Sequence, residues 1–431
     1  MKRRFAAMML GGIGLCASSQ AIAQSETLLV QPSLPEDFDR GRNISVLQRA
    51  RPDYDAIGIR LGSFNLQPQV GVDIGYSDNL YYSKTNKVDA PFIQVSPAFR
   101  LDSDWSRHSL KLRGSTQAQR YFSEPLRNQT PWDLGAVATL EFGGSTQIIP
   151  EVQIARQYEN AFSGDTTITR SVLSNYLRKY ASLRAEHTSG QAKFTAAVDD
   201  TDYEFSTIKL PTGGTINQDD RDRNLLRVTG QAQYAFTPSV SVYVQGNYTR
   251  TNYDRPLFSG VANRDSDSYR LIGGFNFDLA GLMRGTVGIG YTRREFDSPV
   301  YRTINGFSAE GKLEYFPSEL TTITAAVRRV LEDSSLANGG AYFENRARLQ
   351  VDHEFRTNLI GTAYGELARQ NFLDSPLNAD IYRVGVLGTY LSSNWLSFNL
   401  GVIYTGRSVN QSALGQEFNE FRGQIGVVLK R

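Results

Sequence analysis

The sequence predicts an all-β chain: a transmembrane antiparallel up-and-down β-barrel of about 18 strands, with roughly 16 the neighbouring even count. Three observations carry this. Apolar and polar side chains alternate over runs as long as a bilayer is thick, the connections alternate between short and long, and no apolar run after residue 23 approaches the length of a helical span. The 431 residues are only 40% hydrophobic, yet 11% are aromatic and 38 are glycine, a balance that suits strands better than helices. A barrel lets so polar a chain cross a bilayer, because only alternate residues of each strand must meet lipid.

The first 23 residues read as a signal peptide: Lys2, Arg3 and Arg4 form the positive start, Phe5 to Leu15 an apolar stretch, and Ala21-Ile22-Ala23 the cleavage site. Cleavage removes Cys16, the only cysteine, so disulfides and cysteine-bound metals are excluded, and no cofactor is expected. Losing three basic residues also takes the formal charge from +2 to about −1, which leaves no basic tail for nucleic acid. Residues 24–60 hold Pro32, Pro35 and Pro52 without sustained alternation and read as a periplasmic extension. Within it, Ile44 to Gln48 is expected to form a helical turn, a strap across the barrel mouth, or solvated chain. The barrel itself is assigned to residues 61–431.

The alternation is plain in the first run, where Phe64, Leu66, Pro68, Val70, Val72, Ile74 and Tyr76 oppose Asn65, Gln67, Gln69, Gly71, Asp73 and Gly75. It recurs at Leu226 to Phe236, at Val240 to Tyr248 and at Leu396 to Tyr404. Short turns are expected near residues 102–107, 143–145, 188–191, 237–239, 280–284, 316–319, 356–358 and 392–394. Longer polar loops fall near 77–87, 123–131, 159–170, 206–222, 254–267, 297–303, 332–340, 374–380 and 406–417. Short periplasmic turns facing long external loops are the asymmetry of outer-membrane barrels, and an even strand count leaves both termini in the periplasm.

Aromatic residues beside the short turns, Trp105, Phe142, Phe236, Phe316, Phe355 and Trp395, are assigned to one interfacial girdle. Tyr76, Tyr121, Tyr158, Tyr203, Tyr248, Tyr291 and Tyr404 are assigned to the other. Pro68, Pro97 and Pro150 lack a ladder donor and are expected to mark bulges or strand ends near the rim.

Residues 51–115 resemble a known family. The stretches Arg51-Pro52-Asp53-Tyr54-Asp55, Gly58-Ile59-Arg60-Leu61-Gly62-Ser63-Phe64, Gly75-Tyr76-Ser77-Asp78-Asn79-Leu80-Tyr81 and Asp102-Ser103-Asp104-Trp105-Ser106-Arg107-His108 are similar to the outer-membrane β-barrel porins associated with exopolysaccharide or holdfast biosynthesis systems. The resemblance implies a role in polysaccharide export and a location in the bacterial outer membrane. The expected partners are membrane lipid, the barrel-insertion machinery, the polysaccharide and, through residues 24–60, periplasmic export components. A general diffusion porin and a surface-binding barrel are the alternatives.

A sheet of this many strands encloses a wet lumen. The pore-lining candidates are Arg113, Arg227, Arg270, Arg328, Arg346, Arg348 and Arg383 with Glu310 and Glu314; Arg100, Lys111, Arg178, Arg184, Lys312 and Arg422 share their parity, as do Asp73, Glu141, Asp352 and Glu366. The excess of cations favours anionic solutes such as acidic sugars, unless the arginines only satisfy carboxylates in ion-pair ladders. Tyr176, Tyr180 and Tyr243 are candidates to stack on sugar rings, or else simply pack on neighbours. An enzyme is not expected: the three histidines, His108, His187 and His353, sit beside short turns with lipid-facing parity, away from the external surface where barrel hydrolases act.

Overall fold

A computed structural model describes residues 43–159, 172–210, 213–258, 260–334, 341–373, 375–411 and 416–431. The signal peptide and the first part of the extension lie outside these residues. Eighteen antiparallel strands form one closed barrel. In chain order they are β1 (Phe64–Ser77), β2 (Ala90–Ser103), β3 in two stretches (Ser109–Thr116 and Ala118–Tyr121), β4 (Trp132–Phe142), β5 (Thr146–Tyr158) and β6 (Asn175–Ser189). There follow β7 (Ala192–Phe205), β8 (Arg223–Thr237), β9 (Val240–Tyr253), β10 (Ser266–Leu279), β11 (Met283–Phe296) and β12 (Ile304–Ser318). The last six are β13 (Thr321–Asp333), β14 (Ala341–Arg356), β15 (Leu359–Phe372), β16 (Asn378–Leu391), β17 (Leu396–Val409) and β18 (Phe418–Lys430).

Each strand pairs with its chain neighbours, and β18 returns to β1 in a register running from Gln69 opposite Lys430 to Ser77 opposite Arg422. No edge is left open, so every ladder has a partner where water is absent. The turn and loop alternation matches the sequence reading at every connection within a few residues. Tight turns use residues that tolerate left-handed backbone: Gly190 has φ +58° in the two-residue link from β6 to β7.

Side chains sort by strand parity. Val70, Val72 and Ile74 of β1, Val242 and Val244 of β9 and Val384 and Val386 of β16 stand exposed on the outer surface, where lipid would cover them. The inner face carries Gln69, Asp73, Gln94, Ser241, Gln245, Asn276 and Thr286, all buried. This is the inverse of a soluble core, as a bilayer-crossing barrel requires.

Parity also corrects three girdle assignments. Trp105, Phe142, Phe236, Phe355 and Trp395 face outward at one rim, and Tyr76, Tyr291 and Tyr404 do so at the other. Phe316 instead shares the inward parity of Glu310 and Glu314, where the Arg284 guanidinium lies 5.2 Å from its ring centroid. Tyr121 and Tyr203 are buried inside for the same reason: Tyr121 packs edge-on against Phe92 at 5.5 Å, and Tyr203 against Tyr176 at 5.8 Å. Being aromatic near a strand end does not override which face a residue occupies.

The prolines are corrected too. Pro68, Pro97 and Pro150 lie within strands and shift no register. Pro68 stands just before the β1–β18 ladder begins, with its carbonyl accepting from Arg431 N–H. Pro97 and Pro150 sit at short interruptions in the β2–β3 and β4–β5 ladders, where the missing N–H is not needed. The register shifts fall elsewhere, at Ala235/Thr237, Tyr315/Ser318 and Glu354/Arg356, each beside a short turn.

Replacing Val244 by Arg puts a charge in the apolar band and is expected to lower barrel stability by about 2–4 kcal/mol. Replacing Thr229, on the inner face, by Arg is expected to cost well under half as much. Urea unfolding in lipid vesicles checks both.

Candidate functional site: the lumen and its two mouths

The lumen wall from β10 to β15 is lined by ion pairs. Arg328 of β13 and Arg346 of β14 stand opposite each other in register, two like charges that would repel. Glu344 sits between them: Arg328 Nη2 donates to it at 2.7 Å, and Arg346 donates through Nε and Nη2 at 3.0 Å. Arg346 Nη1 then donates to Glu366 at 3.0 Å, and Arg348 reaches the same carboxylate at 3.5 Å while lying 4.5 Å over Tyr364. Arg383 of β16 is the register partner of Glu366 on its other side. On the neighbouring strands Arg270 pairs with Glu310, and Arg284 with Glu314 at 2.7 Å. Arg227 pairs with Asp199 at 2.9 Å, and Arg113 reaches over Gly135 to Glu151 at 3.5 Å. Arg113, Arg227, Arg270, Arg328, Arg346 and Arg348 thus each have a carboxylate partner.

A guanidinium held against a carboxylate sends little net field into the lumen, so these pairs favour the ion-pair-ladder reading of the cationic excess.

The three candidate tyrosines sit against protein. Tyr243 is 2% exposed: it reaches from β9 across Gly274 of β10 to Gly288 of β11, and a side chain at either glycine would collide with its ring. Tyr176, 5% exposed, packs on Tyr203 and Phe205. Arg178 lies 5.0 Å over Tyr180. The histidines sit beside the short turns, His187 and His353 still within their strands: His108 Nδ1 accepts from Glu141 N–H, while His187 and His353 each share a hydrogen bond with a threonine hydroxyl at 2.9 Å. Among the described residues no cluster fit to hold a metal is found.

At the long-loop mouth, two sets of contacts lie beyond the sequence reading. Asp333 of β13 pairs with Arg294 of β11 and, at 3.8 Å, with Arg223 of β8, five strands away. Opposite, the loop after β1 turns inward: Asn79 Nδ2 donates to Ser83 and Asn419 carbonyls, and the Tyr82 ring packs on Phe418 at 4.8 Å. Tyr82 adopts φ +53°, a strained value for a bulky residue, and this packing holds it. Arg127 lies over both Tyr81 and Tyr82. Burial, then a hydrogen bond to Glu124, pushes the Tyr81 hydroxyl up to about 12.

At the short-turn mouth lies residues 43–58, a strap along the inner wall. The Arg51-Pro52-Asp53-Tyr54-Asp55 motif closes on itself, with Asp55 accepting Arg51 N–H at 2.6 Å and the Arg51 carbonyl accepting Tyr54 and Asp55 N–H. That turn aims the buried Arg51 guanidinium at Glu354 of β14, 2.7 Å away, and at the Thr357 carbonyl. A 3₁₀ turn, Val46–Gln48, seats fully buried Val46 against Ile360 and Leu391, with its N–H on Thr322 Oγ1 at 3.0 Å. Arg284 donates to the Asn43 carbonyl at 2.9 Å. Thr322, Glu354, Ile360, Leu391 and Arg284 all belong to the inner face, so the strap runs inside the mouth from β11 to β16. Arg51→Ala leaves Glu354 buried with only half-buried Arg49 beside it, and is expected to cost the docked strap about 3 kcal/mol. Faster limited proteolysis within residues 43–58, with barrel unfolding little changed, would be the sign.

Solved structures similar to the chain include OpdK of Pseudomonas aeruginosa, 10% identical, covering 85% of this chain and 99% of that one with a TM-score of 0.44. A BenF-like porin from Pseudomonas fluorescens Pf-5 is 10% identical over 85% of this chain and 99% of its own, with a TM-score of 0.46. The siderophore receptor PirA from Pseudomonas aeruginosa is 10% identical over 88% and 81%, with a TM-score of 0.43. No curated protein sequence matches. The family described as "Putative beta-barrel porin 2" matches residues 51–431, from the Arg51 motif of the strap to the end of the closing strand, and the chain belongs to that β-barrel porin family.

Proposed function

We propose that the protein is an outer-membrane channel through which a polysaccharide chain leaves the cell. One observation carries the reading: the sheet closes on itself with an apolar outer band and an inner face on which polar and charged side chains predominate between the two mouths. Such a wall can exchange hydrogen bonds with a hydrated chain at each step without offering it an apolar trap. The likeness of residues 51–115 to porins associated with exopolysaccharide or holdfast systems supplies the polymer. The strap, docked where periplasmic components would approach, supports an export direction.

The paired arginines revise the expected charge preference. With most lumen guanidinium groups held by carboxylates, the channel should discriminate weakly between anions and cations. Planar-bilayer recordings of the purified protein are expected to show discrete conductance steps and a reversal potential within a few millivolts of zero in a salt gradient. A folded barrel that never conducts would sink the channel. For export, a deletion strain should lose secreted polysaccharide and regain it on complementation with the intact barrel; unaltered secretion in that strain would leave a general diffusion porin as the better reading.

A further inference from the structure

One row of the lumen wall differs from the rest. Following the register round the barrel, Thr389 of β16 faces Asn399 of β17, Asn399 faces Gly426 of β18, Gly426 faces Asp73 of β1, Asp73 faces Gln94 of β2, and Gln94 faces Gln119 of β3. This is a continuous hoop over six strands that climbs obliquely from near the short-turn end at Thr389 to near the long-loop end at Gln119, made of hydroxyl, amide and carboxylate groups with no cation in it. On the facing strands β10 to β15 the carboxylates of Glu310, Glu314, Glu344 and Glu366 are each answered by an arginine. Asp73 is not.

Asp73 is 1% exposed, and neither carboxylate oxygen has a donor. The side chain leans over Gly426, where a Cβ would collide with Oδ1, so the glycine makes the space that the carboxylate occupies. Within the same hoop Asn399 Nδ2 has no acceptor, although its Oδ1 accepts from Thr389 at 3.2 Å. Further along the same strands, Gln424 Oε1 two residues from Gly426 and Gln69 Nε2 four residues from Asp73 are also without partners. The nearest cation on these strands, Arg422, lies 4.4 Å over the Phe92 ring. A patch with orphaned acceptors and orphaned donors side by side wants a ligand that both donates and accepts at short intervals. Neither a bare cation nor an anion does both. A row of sugar hydroxyls does, and a carboxylate flanked by amides suits a vicinal pair of them.

We infer that this hoop is a carbohydrate subsite, reading the hydroxyls of a neutral sugar chain in transit, with Asp73 as its principal acceptor. The inference rests on the proposed polysaccharide role and narrows it: the negative charge of Asp73 disfavours acidic sugars at this height, so the recognised segment is uncharged. Gln94, Asn399 and Gln424 supply the amide donors and acceptors on either side.

The test separates the subsite from the channel. Binding of cellohexaose, a neutral hexasaccharide, to detergent-solubilised protein is measured by calorimetry beside the hexamer of galacturonate and calcium chloride alone, while conductance is recorded separately. Wild type should bind cellohexaose and bind the acidic hexamer at least tenfold more weakly. Asp73→Asn should weaken cellohexaose binding about tenfold, the loss of a hydrogen bond to a charged acceptor. Asn399→Ala should weaken it severalfold. Heat-modifiable migration verifies that each variant is folded. A conducting wild-type barrel that ignores cellohexaose, or one whose affinity is the same after Asp73→Asn, overturns the subsite and leaves the channel standing. Asp73-dependent binding of calcium in place of the sugar overturns it as well. A silent barrel that binds cellohexaose through Asp73 keeps the subsite and removes the channel.

Discussion

Backbone hydrogen bonding without water governs this molecule. In hydrocarbon an unpaired peptide group costs several kcal/mol, so a sheet survives there only if its first and last strands find one another. The pairing of Phe64–Ser77 with Phe418–Lys430 meets that demand, and the other features follow from it. Closure fixes one face outward and one inward on every strand. The apolar face becomes the surface, and the polar face, which would be the solvent side of an ordinary sheet, becomes the interior. The interior then has to satisfy itself, because its side chains crowd a concave wall. It does so through alternating arginines and glutamates from β10 to β15, while the row from Thr389 of β16 to Gln119 of β3 keeps amide and carboxylate groups without partners.

The strands and their order were legible in the sequence because the signals are local. A period of two marks each of the eighteen strands and turn residues mark the connections between them, and an error in one segment leaves the others unaffected. What misled was a second local signal laid over the first. Phe316, Tyr121 and Tyr203 stand near strand ends as girdle residues do, but their inward parity was already set by Glu314, Gln119 and Thr201. The prolines misled in a similar way: a missing donor argues for a bulge only if the neighbouring strand offers an acceptor at that position, and beside Pro68 the ladder has not yet begun.

The lumen was legible in part. Parity identified Arg113, Arg227, Arg270, Arg328, Arg346 and Arg348 as inward-facing, and their pairing could be anticipated only as one of two outcomes. Tyr176 and Tyr243 were chosen for chemistry and turn out to be enclosed, the second because Gly274 and Gly288 on adjacent strands clear a bed for its ring. Contacts between distant parts of the chain left no trace in any window of sequence. Arg51 and Glu354 lie 303 positions apart, and the tie from Arg223 to Asp333 joins strands that never pair. Arg51 did stand in a distinctive motif, yet only the docked turn reveals what its guanidinium grips.

The register that sets Asp73 beside Gly426 has a consequence for assembly. One residue comes from the earliest strand to be synthesised and the other from the last, and they meet across the seam where the sheet joins itself. A full sheet not yet closed therefore has its arginine ladders from β10 to β15, but no complete hoop. Whatever the hoop grips can be gripped only by a finished wall, so a nascent sheet waiting at the membrane cannot be fouled there by its own cargo.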